Sequence, residues 1–193
     1  LVWVIAMVKI KTCVFISGQG TNLKNLILKS RDCSFPVKIN LVISDNKSAK
    51  GLNYAQKYKI PFLLINTKKK NYENKVLNHL KKNKIYLICL AGYMKIIPKR
   101  IINNFKGKII NIHPSLLPKF KGLNTFSRML KNKEIKAGCT VHFVDEKLDS
   151  GNVIVKKMFY INNSDDEKIL KKKTQKLEYK AYPEAIIKIF KNY

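Results

Sequence analysis

The run Ile85–Ala91, Ile-Tyr-Leu-Ile-Cys-Leu-Ala, constrains the fold more than any other stretch of the chain. A strand with one wet face alternates apolar and polar residues, whereas an unbroken apolar run belongs to a strand covered on both faces. That describes a central strand of a parallel sheet. The flanking segments agree. Thr12–Ser17 reads as a buried strand, followed by a helical pattern at Leu23, Leu26 and Ile27 that ends near Ser30. Val37–Ser44 and Phe62–Ile65 read as strands, and Gly51–Tyr58 as a helix stopping before Pro61. Tyr72–Lys82 is an amphipathic helix with Val76, Leu77 and Leu80 on one face. A short helix at Pro98–Phe105 leads to a strand at Lys108–Ile110. Such alternation predicts an α/β fold, a doubly wound, mainly parallel sheet.

Past Gly122 the rhythm changes. A helix near Asn124–Leu130 precedes two consecutive strands, Gly138–Val144 and Val153–Tyr160, which predict an antiparallel carboxyl-terminal portion. A final helical stretch starts at Asp165, and Pro183 is expected to break or kink it. Neither a repeat nor a linker interrupts the chain, so residues 1–193 are expected to form a single domain. The opening Leu1-Val-Trp-Val-Ile-Ala6 reads as an extension, too short for a membrane span and without the features of a signal peptide. The domain proper is expected to begin near Met7.

Charge is the one unusual feature of composition. With 39 Lys+Arg against 12 Asp+Glu, the net charge is +27, which on its face favours a polyanionic partner. Yet the lysines lie in every segment, with short runs at Lys68–Lys70 and Lys171–Lys173, a pattern of compositional drift more than of a nucleic-acid face. A phosphorylated or polyglutamylated substrate would be steered by the same field. Cys13, Cys33, Cys89 and Cys139 have no zinc spacing and read as reduced thiols of a cytoplasmic protein.

Two places invite chemistry. In Ser17-Gly-Gln-Gly-Thr-Asn22 the glycines between a strand and a helix let backbone N–H groups converge on an anion at the helix N-terminus. The same residues also fit a plain helix cap at Thr21 or Asn22. In Asn111-Ile-His-Pro114 an amide and an imidazole share one side of a strand end, where open α/β sheets bind ligands and where two donors can hold a developing oxyanion. Asp149, before Ser150-Gly151, is the nearest strong carboxylate, and its alternative role is to cap a turn. His142 fits packing as well as chemistry, and His79 reads as a surface residue of a helix.

These residues resemble a family. Ser17-Gly-Gln-Gly-Thr-Asn-Leu23, Leu90-Ala-Gly-Tyr-Met94, Asn111-Ile-His-Pro-Ser-Leu-Leu-Pro118 with Gly122, and Val141-His-Phe-Val144 with Leu148-Asp-Ser-Gly151 are similar, in order, to the glycinamide ribonucleotide formyltransferases of purine synthesis. The Asn-x-His-Pro-Ser-Leu-Leu-Pro run and the Asp-x-Gly are shared by all folate-dependent formyltransferases. The glycine loop points to the ribonucleotide branch. The resemblance implies a Rossmann-like formyltransferase fold and transfer of formyl from 10-formyltetrahydrofolate to the amino group of 5-phosphoribosylglycinamide, without metal. It implies that Asn111 and His113 polarise the formyl oxygen. Asp149 would hold His113 charged and act as general base, through water.

It further implies that Gly20, Thr21 and Asn22 take the nucleotide phosphate, with Gln175 and Glu178 at the ribose and glycinamide end. Tyr93, Met94, Lys95, Ile96 and Ile97, together with Val144, Asp145 and Asp149, would form the folate pocket. The chain departs from the family at Asn124-Thr-Phe126, where histidines are common, and at Ser150, where glycine is common. The partners expected are these two small molecules, with no membrane, nucleic acid disfavoured despite the charge, and a monomer or homodimer. Methionyl-tRNA formyltransferase is the alternative within the superfamily.

Overall fold

The computed structural model describes residues 8–191, so the expected extension at Leu1–Ala6 lies outside the described residues. Its elements in chain order are β1 (Ile10–Ile16), α1 (Thr21–Lys29), β2 (Val37–Ser44), α2 (Leu52–Lys57), β3 (Phe62–Leu64), α3 (Tyr72–Lys82) and β4 (Leu87–Leu90). There follow α4 (Lys99–Asn104), β5 (Lys108–His113), α5 (Thr125–Lys131), β6 (Lys136–Phe143), β7 (Val153–Tyr160) and α6 (Glu167–Phe190). The seven strands form one sheet in the order β3-β2-β1-β4-β5-β6-β7. Pairing is parallel from β3 through β5 and antiparallel at β5–β6 and β6–β7. The doubly wound, mainly parallel sheet and its antiparallel end are therefore as expected.

The period of two within the strands divides the core between the faces. Val14, Ile16, Leu87 and Cys89 pack on one side with Leu23 and Leu26 of α1 and Tyr182, Ala185 and Ile186 of α6. Cys13, Phe15, Ile88 and Leu90 pack on the other with Val76 and Leu80 of α3 and Ile101 of α4. All four residues of β4 are buried, which is why that stretch carries no polar alternation.

Two details differ from the sequence reading. First, β5 does not stop at Ile110 but continues through Asn111 to His113, because β6 pairs with this end and supplies the missing ladder. Second, α6 runs through Pro183 without a break. Proline at 183 leaves the carbonyl of Tyr179, four residues earlier, without its helical donor; Asn25 of α1 fills the vacancy with an Nδ2–H bond of 2.9 Å to that oxygen. The helix keeps its proline because a neighbouring helix satisfies the orphaned acceptor.

The sheet's topology also places a crevice. Between β1 and β4 the strand order reverses, so the loops leaving their carboxyl ends diverge, and ligands of open α/β sheets bind at such a point. The glycine loop after β1 and the Ala91–Ile97 loop after β4 flank it.

Candidate active site

Four polar side chains meet where β5 ends. The antiparallel register sets Asn111 opposite His142 and His113 opposite Thr140. The β6–β7 loop then carries Asp149, in a left-handed conformation at φ 48°, over the same spot. His113, His142 and Asp149 are buried. Asp149 Oδ2 accepts the Gly122 N–H at 2.8 Å and lies 3.4 Å from His113 Nδ1. Asp149 Oδ1 accepts from Asn111 Nδ2 at 3.4 Å and lies 3.6 Å from His142 Nε2.

Hydrogen-bond roles follow from the partners. His142 Nδ1 lies 2.8 Å from the Phe143 carbonyl and must donate to it, leaving Nε2 as acceptor for Asn111 Nδ2 at 3.3 Å. Burial, above all, lowers the affinity of His142 for a second proton, against the opposing pull of the Phe143 carbonyl and Asp149. Neutral His142 thus orients the Asn111 amide. His113 Nε2 donates to the Phe120 carbonyl at 2.8 Å, which turns Nδ1 to Asp149. The loop bearing Phe120 is pinned in turn, since Thr140 Oγ1 donates to the Ser115 carbonyl at 2.7 Å and accepts the Leu117 N–H at 3.1 Å. Asn111 holds Asp149 and His142 by bonds of 3.3–3.4 Å, long enough to be exchanged for a better acceptor.

The glycine loop carries no side-chain helix cap at Thr21 or Asn22, the plain alternative its residues left open. The helix N-cap is Gly20, in the left-handed conformation at φ 69°, and no side chain caps α1. Its first amides are therefore left without a side-chain cap. Thr21 and Asn22 instead reach across to α6: Thr21 Oγ1 accepts from Gln175 Nε2 at 3.0 Å, and Asn22 Nδ2 donates to Glu178 Oε2 at 2.8 Å. Asn22 Oδ1 is buried and has no hydrogen-bond partner among the described residues. Glu178 is half-buried, and burial raises its carboxyl above the usual range, with the Asn22 bond and Lys171 pulling part of the way back. The close seat of this loop needs glycine twice, because a Cβ on Gly20 would lie 2.4 Å from the Cα of Gly51.

After β4, Tyr93 packs edge-on against Phe15 at 5.4 Å, and Tyr93 and Val144 border the same core cluster. Ile97 is buried; Met94 and Ile96 are 63% and 72% exposed, large apolar groups facing outward beside exposed Lys95. Leu123 and Leu148 are exposed too, and Asp145 is at the surface. His79 does as a surface histidine should, donating from Nδ1 to the Lys75 carbonyl of its own helix. Among the described residues no group of three or more His, Cys, Asp or Glu side chains is arranged to hold a metal ion.

Residues 10–186 match the family described as formyl transferase. The chain belongs to the formyl transferase family. Within it, the chain is 39% identical over 186 residues to the phosphoribosylglycinamide formyltransferase of Haemophilus influenzae, covering 93% of this chain and 86% of that one. It is 40% identical over 182 residues to the trifunctional purine biosynthetic protein adenosine-3 of Drosophila pseudoobscura pseudoobscura, covering 91% of this chain but only 13% of that longer protein. The crystal structure of phosphoribosylglycinamide formyltransferase from Brucella melitensis superposes with a TM-score of 0.89 at 36% identity, over 96% of this chain and 97% of the other. In this member of the formyl transferase family, strand pairing sets Asn111 and His113 beside His142, and the β6–β7 loop adds Asp149. Sequence reasoning left His142 undecided because only the β5–β6 register sets it opposite Asn111.

Proposed function

We propose that this chain transfers the formyl group of 10-formyltetrahydrofolate to the amino group of 5-phosphoribosylglycinamide, a step of purine synthesis. The observation that carries the reading is the cluster at the end of β5, in which one buried carboxylate, Asp149, faces the amide of Asn111 and the imidazole of His113 at once. Acyl transfer to an amine needs donors for the oxygen that becomes negative and an acceptor for the proton the amine loses. Asn111 Nδ2–H and His113 Nε2–H are the donors, exchanging Asp149 and the Phe120 carbonyl for the formyl oxygen as charge builds on it. Asp149 receives the amine proton through water. The oxyanion then collapses, the carbon–nitrogen bond to the folate breaks, and that nitrogen leaves with the proton returned from Asp149 through water. His142 keeps the Asn111 amide in register.

The substrates divide between two loops. Gly20, Thr21 and Asn22 offer uncapped amides to the phosphate, and Gln175 and Glu178 flank the ribose and glycinamide. Tyr93, Met94, Lys95, Ile96 and Ile97, with Val144, Asp145 and Asp149, receive the folate. Residues 1–193 act as one formyltransferase domain in the cytoplasm, with the formyl donor as cosubstrate, and the abundant lysines raise the local concentration of both anionic substrates.

The test is a formyl-transfer assay with 10-formyltetrahydrofolate, offering glycinamide ribonucleotide and methionyl-tRNA in separate reactions. Transfer to the ribonucleotide alone is expected. The net charge of +27 is what favours a tRNA acceptor, and transfer to methionyl-tRNA alone would overturn the assignment.

A further inference from the structure

Ser17 is the first residue after β1, at the point where the strand order reverses, and each of its polar groups is engaged. Its N–H donates to the Gly92 carbonyl at 3.1 Å, and its carbonyl accepts from Asn46 Nδ2 at 3.0 Å. Its hydroxyl donates to Asp45 Oδ1 at 2.6 Å and accepts the Met94 N–H at 2.9 Å. Two of these bonds reach the loop after β4 and two reach the loop after β2. The β2–α2 loop returns to the glycine loop farther on, through the Gly51 N–H to the Gly18 carbonyl at 3.0 Å and the close approach of Gly51 to Gly20. One serine therefore ties together the segment that begins the anion cradle and the segment that begins the apolar loop Tyr93–Ile97.

From this geometry we infer that the Asp45–Ser17–Met94 relay couples the two substrate sites, so that filling the nucleotide loop tightens folate binding and filling the folate loop tightens nucleotide binding. The inference rests on the assignment of the two loops made above. Ordering a loop costs conformational entropy, and two ligands that need the same order share that cost. An anion at Gly20–Asn22 fixes the backbone from Ser17 onward, which holds the hydroxyl on Met94 N–H and sets the start of the folate loop. By linkage the effect is the same in both directions. The Met94 N–H lies at the surface, so water can replace the serine when it is removed. Loss of the hydroxyl leaves only the backbone bond from the Ser17 N–H to the Gly92 carbonyl between the loops, which weakens the coupling without leaving a buried donor unpaired, and Ser17 acts as a positioning residue.

The coupling is measured by titrating the protein anaerobically with tetrahydrofolate, which has no formyl group to transfer, with and without saturating glycinamide ribonucleotide. For the unaltered chain the ribonucleotide is expected to lower the tetrahydrofolate dissociation constant about tenfold. In Ser17→Ala the ratio is expected to fall to about threefold or less, while each ligand alone binds within about threefold of its original affinity. Asp45→Ala, which takes away the acceptor that orients the hydroxyl, is expected to lower the ratio as well and serves if Ser17→Ala does not fold by circular dichroism. A ratio of one in the unaltered chain, or an undiminished ratio in the folded variants, overturns the inference. Failure of the unaltered chain to bind either ligand would overturn the proposed function itself, and the coupling with it.

Discussion

Asn22 donates to Glu178 at 2.8 Å across 156 positions of sequence, joining the first turn of α1 to the middle of α6. The bond sits beside the glycine loop, and it holds a carboxyl whose affinity for a proton is raised chiefly by burial. A carboxyl that binds its proton more tightly in the folded chain than in the unfolded one lowers stability as pH rises from its unfolded value through its folded value. Above that window it stays ionised and destabilising.

Glu178→Gln removes this burden while keeping an oxygen to accept from Asn22. Its melting temperature is expected to exceed that of the unaltered protein at pH 7, with the gap narrowing towards pH 4. Nucleotide affinity is expected to move the other way, with the Michaelis constant for glycinamide ribonucleotide raised about tenfold or more for loss of a charged contact. Thermal melts at several pH values and steady-state kinetics check both; a lower melting temperature at pH 7 would contradict the assignment of strain to this carboxylate.

Asp149→Asn keeps an oxygen for the Gly122 N–H and removes the charge facing His113. The fold and the affinity for the ribonucleotide are expected to persist while turnover falls roughly 10²–10⁴-fold, the range for a lost general base. Single-turnover rates beside equilibrium binding decide this, and full turnover would take Asp149 out of the mechanism.

His142 is held neutral mainly by burial. A histidine whose folded affinity for protons is depressed contributes stability that is present above its unfolded pKa, about 6.5, and is lost as pH falls through its lower folded value. The unaltered protein is expected to lose melting temperature on acidification from pH 7 to pH 5 more steeply than His142→Asn. Parallel pH profiles for the two proteins would show that some other group carries the acid sensitivity.

Gly20→Ala places a methyl against the Gly51 backbone in a left-handed conformation. The conformation alone costs about 1–2 kcal/mol, and each kcal/mol lowers the melting temperature of a chain this long by about 2–4 °C. The ribonucleotide Michaelis constant is expected to rise, that of the folate much less, in kinetics with each substrate varied in turn. Equal changes in both would mean that the loop serves only as scaffold.

Tyr182 is fully buried, and its hydroxyl donates to the Leu90 carbonyl at 2.9 Å, with the Ile110 carbonyl at 3.3 Å. Tyr182→Phe keeps the ring but leaves the Leu90 oxygen at the end of β4 and the Ile110 oxygen within β5 short of a donor. Denaturant unfolding is expected to show a loss of about 1–3 kcal/mol with unchanged slope. A variant as stable as the parent would show that backbone pairing alone satisfies them.

The residues alone determined that β4 is central, that the sheet is mostly parallel with an antiparallel end, and that Asn111 and His113 share one side of a strand. Burial on both faces, the period of two and turn chemistry are local properties, written in adjacent letters. The residues offered Asp149, 36 positions beyond His113, as the nearest strong carboxylate with a turn cap as its alternative, and the resemblance to formyltransferases added its role. Tertiary structure decided the rest. His142 became a partner of Asn111 only through the β5–β6 register, and Pro183 stayed inside α6 only because Asn25 of another helix reaches the Tyr179 carbonyl. Ser17 came to bond Asp45 and Met94, 28 and 77 residues away, because β2 and β4 end near β1. Such pairings depend on which strands become neighbours and in what register, and that is set by packing the whole sheet.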